Sequence, residues 1–173
     1  MKELVPKGKL VAIGGNVDKG TDPESAVSFK SLNFFEFGIL QRILSETKGK
    51  DSKIEVVTTA SMIPAEVGAG YIEAFARLGC HQVNLMHIRN RQDCLVPEYA
   101  ERLRICDGVM FTGGNQLRIS TIWGGTDLFQ ILKERYWYEN FMIAGTSAGA
   151  MAMSNTNIVL SKSGTSPFHP ILY

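Results

Sequence analysis

FMIAGTSAGAMAMS, residues 141–154, is the stretch on which the fold turns. An apolar run, residues 141–144, breaks into Gly145-Thr146-Ser147-Ala148-Gly149 and then into small, unbranched residues that suit a helix. A strand, a sharp turn and a helix in that order form a nucleophile elbow, G-x-S-x-G. A serine hydroxyl is a weak nucleophile until a turn holds it out from the backbone, with a base on one side and N–H donors on the other. Gly145 and Gly149 are expected to leave room for the turn, and Ala148 to offer its N–H at the start of the helix. The pattern alone also fits a structural tight turn, so both readings of Ser147 stand at this level.

Working outward, residues 108–111 read as a strand running into Thr112-Gly113-Gly114-Asn115-Gln116, and residues 9–13 as a strand ending in Gly14-Gly15. Residues 54–59 form a β-branched run, as expected of a strand covered on both faces, and residues 82–88 read as a further strand. Helices fill the intervals. Phe34, Phe37, Ile39, Leu40, Ile43 and Leu44 recur at helical spacing up to Thr47, with Gly49 to close them. Pro64 opens a second helix, which Val67, Tyr71, Phe75 and Leu78 continue to Gly79. Residues 97–106, 117–123 and 128–136 read as further helices, and residues 158–160 as a short strand. This alternation predicts a mostly parallel sheet with helices on both faces, an α/β three-layer, doubly wound sandwich. Ligands of that architecture bind beyond the carboxyl ends of the strands, where the glycine turns after Ile13, Phe111 and Ala144 all fall. No repeat or linker marks a second domain, so residues 1–173 are expected to form a single α/β domain.

The bulk composition removes other classes. Eighteen Lys and Arg stand against seventeen Asp and Glu, for a net charge of +1, with no like-charge run to engage nucleic acid or a membrane. No stretch approaches the ~18 continuous apolar residues of a membrane span. Three cysteines, Cys80, Cys94 and Cys106, lack C-x-x-C spacing, which argues against a disulfide framework and a zinc site and points to a reducing cytoplasm. No metal or cofactor is expected. A nucleotide site is disfavoured as well, because neither glycine-rich phosphate motif occurs at a strand-to-helix junction.

The remaining candidates gather around Ser147. Gly113-Gly114 reads either as an oxyanion-hole loop or as an ordinary turn, and its pairing with the elbow favours the first, since acyl transfer needs two converging donors. Gln116 suits recognition of an amide or carboxylate and equally suits a solvated helix start, while Asn115 fits substrate contact or support of the turn. Arg118 fits either an acidic substrate group or a surface position. The base is the difficulty. His81, His87 and His169 are the only histidines; the first two flank the strand at residues 82–88, and only His169 follows the serine, in a Pro-Phe-His-Pro loop with no strand end to hold it.

Three blocks in order carry a resemblance: TTASMIPAEVGAGYIEAFARLG at residues 58–79, FTGGNQLRIS at residues 111–120 and IAGTSAGAMAMS at residues 143–154, with a matching opening at residues 9–15. Together they resemble cyanophycinase and its relatives, a family of serine peptidases. The resemblance implies a flavodoxin-like, class I glutamine amidotransferase-like fold and a serine nucleophile. It also implies exopeptidase cleavage of cyanophycin, a polymer of aspartate carrying arginine on its side-chain carboxylates, to β-aspartyl-arginine dipeptides. An aspartyl dipeptidase of the same superfamily is the near neighbour.

By that resemblance Ser147 matches the nucleophile, Gly114 and Ala148 the backbone oxyanion donors, and Gln116 the glutamine of a Gly-Gly-Asp-Gln block that helps hold substrate. Asn115 replaces the aspartate of that block and removes one negative charge. The family's histidine lies in an Asp-x-His-Phe-like block well beyond the serine, with an acidic partner; no such block precedes Tyr173, and no Asp or Glu follows Ser154. The expectation is therefore a domain incomplete at its C-terminus, a part of a longer enzyme, with a short homologue that has lost hydrolysis and only binds or assembles as the alternative. A bare sheet edge would make self-association into a homo-oligomer plausible.

Overall fold

β-branched and aliphatic runs too short for helices become the strands, and the computed structural model describes residues 5–15, 19 and 38–154 around them. In chain order the elements are β1 (Lys9–Ile13), α1 (Ile39–Ser45), β2 (Ile54–Val57), α2 (Pro64–Arg77), β3 (Val83–Met86), α3 (Pro97–Ile105), β4 (Gly108–Phe111), α4 (Gln116–Trp123), α5 (Asp127–Tyr138), β5 (Met142–Thr146) and α6 (Ala148–Met151). Short 3-10 turns at Gly49–Asp51 and Asp93–Leu95 complete the described elements. The strands form one sheet in the order β1-β5-β4-β2-β3, parallel at every pairing.

Parallel strands read as continuous apolar runs when both faces are covered. β2 and β4, inside the sheet, are buried at every residue, whereas β1 at one edge alternates and leaves Leu10 exposed. Helices lie on both faces, as the alternation predicted. Ile54 and Val56 of β2 and Met110 of β4 pack with Leu40 and Leu44 of α1 and with Tyr71 and Phe75 of α2. On the other face Val57, Val109 and Phe111 meet Leu103 of α3, Trp123 of α4 and Leu128 of α5. Burying each such large side chain contributes about 1.5–3 kcal/mol.

Helix boundaries follow local chemistry. Pro64 and Pro97 occupy first-turn positions, where a missing N–H costs nothing. Thr126 caps α5 by accepting from Phe129 N–H at 3.3 Å. The expected strand at residues 82–88 is shorter than its apolar pattern, because the Ile88 carbonyl has turned away to accept from Thr59 Oγ1 at 2.7 Å. The first helix is described only from Ile39; Phe34 and Phe37, and the strand expected at residues 158–160, lie outside the described residues. Gly49 opens a 3-10 turn rather than closing α1, which ends at Ser45 with Glu46 as its C-cap.

Two arginines lock α3 in place. Glu55 is a carboxylate on a buried strand, and Arg102 of α3 reaches it with Nε at 3.2 Å and with Nη2, which also donates to the Leu85 carbonyl at 3.1 Å. Burial opposes the charge of Arg102, but its hydrogen bonds and attraction to Glu55 prevail and raise its pKa. Arg135 of α5 donates to the carbonyls of Leu103 and Cys106, both at 2.6 Å, where a helix C-terminus leaves acceptors unpaired.

Candidate active site

β5 delivers Ser147 to the carboxyl edge of the sheet. Ser147 has φ 47° and ψ −112°, and it is the only non-glycine residue with positive φ among the described residues. Such a conformation costs on the order of 1–3 kcal/mol and persists only when the surroundings over-determine it. They do so here. The Ser147 N–H donates to the Ile13 carbonyl of β1 at 2.9 Å, and its own carbonyl accepts from Met151 N–H of α6 at 2.9 Å. Its neighbours Thr146 and Ala148 are buried, while Ser147 itself is exposed.

The flanking glycines leave the room the turn needs, and they do so through close packing rather than through their own dihedrals. Neither has positive φ; the serine takes the strained conformation instead. A Cβ on Gly149 would stand 2.3 Å from the Phe111 carbonyl oxygen, and one on Gly145 would stand 2.5 Å from the Gly149 carbonyl carbon. Only glycine at both positions lets α6 sit directly against β4 and β5, and that close seat aims the turn.

The Gly113-Gly114 loop after β4 lies beside this turn: a Cβ placed on Gly113 would be 3.5 Å from Ser147 Cβ. The structure thus brings together the two glycine segments that the sequence placed at neighbouring strand ends. Gly114 has φ 141°, and a Cβ there would come within 2.1 Å of the Ala60 carbonyl oxygen. Asn115 N–H donates to that same oxygen at 3.0 Å. Asn115 Oδ1 accepts from Leu117 N–H at 2.9 Å, so this side chain caps α4. Gln116 follows as the first residue of that helix and is half-buried.

Arg118 is half-buried and holds backbone. Its Nε donates to the Thr59 carbonyl at 2.9 Å, and Arg89 Nη1 donates to the Ser61 carbonyl at 2.9 Å. With Trp123 Nε1 on Thr59 Oγ1 at 3.1 Å, these groups fix the loop after β2, on which Gly114 and Asn115 rest. Sequence reasoning missed Arg89, Thr59 and Trp123 as parts of this support. Their partners are mostly main-chain carbonyls, which carry no sequence signal.

No base joins the serine among the described residues. His81 and His87 are exposed at opposite ends of β3. That strand is three positions from β5 in the sheet, about 14 Å at the usual strand spacing. His169 lies outside the described residues. Among the described residues no cluster of three or more His, Cys, Asp or Glu could hold a metal, and no helix is long and apolar enough to cross a membrane. The three cysteines are buried free thiols, and burial raises the pKa of each, that of Cys106 to about 12. A cavity of about 750 Å³ lies between β1, β5 and helices α4 and α5, lined by Leu10, Trp123, Phe129, Tyr136 and Ile143 and bordered by Gly149 of α6; Ser147 itself does not line it.

The sequence profile of peptidase family S51 matches residues 27–170. The chain belongs to peptidase family S51. Among curated relatives, the cyanophycinase of Trichormus variabilis is 33% identical over 129 residues, covering 75% of this chain and 43% of its own length. The cyanophycinase of Geminocystis herdmanii is 31% identical over 167 residues, covering 96% of this chain and 56% of that one. That of Synechococcus elongatus is 30% identical over 161 residues, covering 93% and 46%. The chain therefore spans about half the length of the curated relatives it matches. The crystal structure of a peptidase from an acI-B1 Actinobacterium superposes with a TM-score of 0.67 at 23% identity, over 89% of this chain and 59% of that one, and shares the α/β fold.

Proposed function

We propose that this S51 chain carries the nucleophile half of a serine-type exopeptidase that hydrolyses cyanophycin to β-aspartyl-arginine dipeptides. The observation that carries the reading is the strained φ of Ser147, held beside the Gly113-Gly114 loop. Cyanophycinases about 30% identical across most of the chain supply the substrate class. Ser147 Oγ attacks the peptide carbonyl and passes its proton to a general base, a histidine outside the described residues. The N–H groups of Gly114 and Ala148 hold the oxyanion; the C–N bond breaks as the base protonates the leaving amine, and water hydrolyses the acyl-enzyme. Gln116 orients the substrate. Asn115, whose Oδ1 is committed to the helix cap, has its amide nitrogen for the same task. The chemistry needs no metal or cofactor.

Residues 1–173 form one α/β unit in this reading, acting on a peptide or polymer rather than on nucleic acid or a membrane. The net charge of +1 supports the absence of a macroionic partner, and the three free buried thiols support a cytoplasmic setting. A second reading, a silent binding or assembly homologue, is favoured by one observation: neither described histidine is on a strand adjacent to β5.

Incubation of this chain and of its full reading frame with cyanophycin and with a serine-directed phosphonate separates the two. Labelling at Ser147 together with dipeptide release by the full frame is the expected result. A full frame that neither labels nor releases dipeptide overturns the peptidase reading. Comparing an α-aspartyl dipeptide with the β-linked polymer then distinguishes an aspartyl dipeptidase from a cyanophycinase.

A further inference from the structure

Three adjacent strands run into a threonine on the same face of the sheet. Thr58 follows β2, Thr112 follows β4, and Thr146 is the last residue of β5. Val57 pairs with Phe111 and Phe111 with Gly145, so one step further along the register Thr58, Thr112 and Thr146 stand side by side. The ladder reaches that far, since Thr112 N–H donates to the Val57 carbonyl at 3.0 Å. Alternation assigns the face: Ile54 and Val56, Met110, and Met142 and Ala144 all pack into the α1–α2 layer, and the threonines occupy the next positions of the same parity. Tyr71 of α2 meets them there, its hydroxyl 3.4 Å from Thr146 Oγ1.

All three are buried, Thr58 at 1% exposure, Thr112 at 0% and Thr146 at 3%. Thr58 Oγ1 and Thr112 Oγ1 have no hydrogen-bond partner among the described residues. Two neighbouring orphaned hydroxyls are unusual in a native interior, where such groups commonly share an ordered water. The dimensions suit one. Parallel neighbours lie about 4.8 Å apart, and a water with two bonds of about 2.8 Å at a tetrahedral angle spans oxygens about 4.6 Å apart. The site is also placed to matter, because Thr112 precedes the Gly113-Gly114 loop and Thr146 precedes Ser147.

We propose that Thr58 and Thr112 hold a buried water in a hydroxyl row completed by Thr146 and Tyr71, and that this row fixes the glycine loop relative to Ser147. The positioning half rests on the reading of Ser147 as nucleophile; the water half does not. Thr112 and Thr58 are positioning residues, since both hydroxyls are sealed from solvent and act through the segments that follow them.

A high-resolution crystal structure of the protein, together with T58V, T112V and T112S, tests both halves. Expected are density for a water within hydrogen-bond distance of both hydroxyls, and a T112V thermal midpoint lower by about 3 °C or more, largely restored in T112S. T58V, which removes the other end of the bridge, should lower the midpoint similarly. Absence of that water, with T112V and T58V as stable as the parent or more so, overturns the water site. Phosphonate labelling of Ser147 in the full reading frame reads the second half: T112V should slow it at least threefold at equal folded fraction, and T112S should recover it. Equal rates in T112V and T112S overturn the positioning role even where the water is present. A parent protein that does not label removes the nucleophile reading and the positioning role with it, while the density still decides the water.

Discussion

The Ser147 N–H donates to the Ile13 carbonyl at 2.9 Å, so the strained residue of the elbow is tied to the edge strand of the sheet. β1 lies far from β5 in sequence and next to it in the sheet. Its last carbonyl completes the ladder at the residue where β5 turns into α6, and it helps hold φ at 47°.

Strain at this position has a measurable sign. Ser147→Gly relieves the positive φ, and Ser147→Ala retains it, so S147G should be more stable than S147A by about 1 kcal/mol in urea unfolding. Both should lose phosphonate labelling completely. Equal stabilities would show that the backbone relaxes without the conformation seen here.

Gly149→Ala drives a methyl toward the Phe111 carbonyl oxygen, 2.3 Å from the new carbon, with the Phe111 carbonyl carbon at 2.8 Å behind it. Overpacking of this kind costs about 1–3 kcal/mol, and α6 must lift away from β4. The thermal midpoint should fall and Ser147 labelling should drop by an order of magnitude or more. A variant that keeps both would mean that the close seat of α6 does not set the elbow.

Gly114→Ala combines φ 141° with a carbon 2.1 Å from the Ala60 carbonyl oxygen, so the loop can only move. Under the proposed role of the Gly114 N–H as an oxyanion donor, losing it costs about 10²–10³ in kcat. That loss, with KM changed far less, is the expected outcome for the full reading frame, read by steady-state dipeptide release.

Arg102→Ala leaves the Glu55 carboxylate buried at 3% exposure without its partner. Such a truncation destabilises by about 3–5 kcal/mol. Arg77→Ala, which breaks an exposed pair with Glu73 one helical turn away, should cost under about 1 kcal/mol. Chemical denaturation of the two variants side by side checks the contrast.

Cysteine reactivity follows from burial. With its pKa pushed up to about 12, Cys106 at pH 8 is thiolate in only about one molecule in ten thousand. Because the raised pKa keeps the thiol protonated, reactivity should increase with pH rather than decrease. A disulfide reagent at pH 8 should find no fast-reacting thiol in the folded chain, and all three after denaturation.

The parallel α/β architecture was legible because its signals are local and repeated. Apolar runs at residues 54–57 and 108–111, helical spacing from Val67 to Phe75 and prolines at both helix starts each act within a few residues. The elbow was legible for the same reason, as a strand, a glycine-flanked serine and a helix in immediate succession. Its glycines were read as leaving room for the turn; what fills the space around them, the backbone of β4 and α6 packed on Gly149 and Gly145, was not legible. Asn115 and Arg118 stood open between substrate and support; the structure adds that Asn115 Oδ1 accepts from Leu117 N–H and that Arg118 Nε donates to the Thr59 carbonyl, contacts with no signature in the chain.

By itself, then, the sequence determined the α/β class and the succession of strand, glycine-flanked serine and helix around Ser147, because periodicity and turn chemistry are written in consecutive residues. Only the tertiary structure decided that β1 lies against β5, that the Gly113-Gly114 loop meets Ser147 and that Thr58, Thr112 and Thr146 line up beneath them. Strand order and register are set by which buried faces fit together across the whole sheet, and that fit has no local signature in the chain.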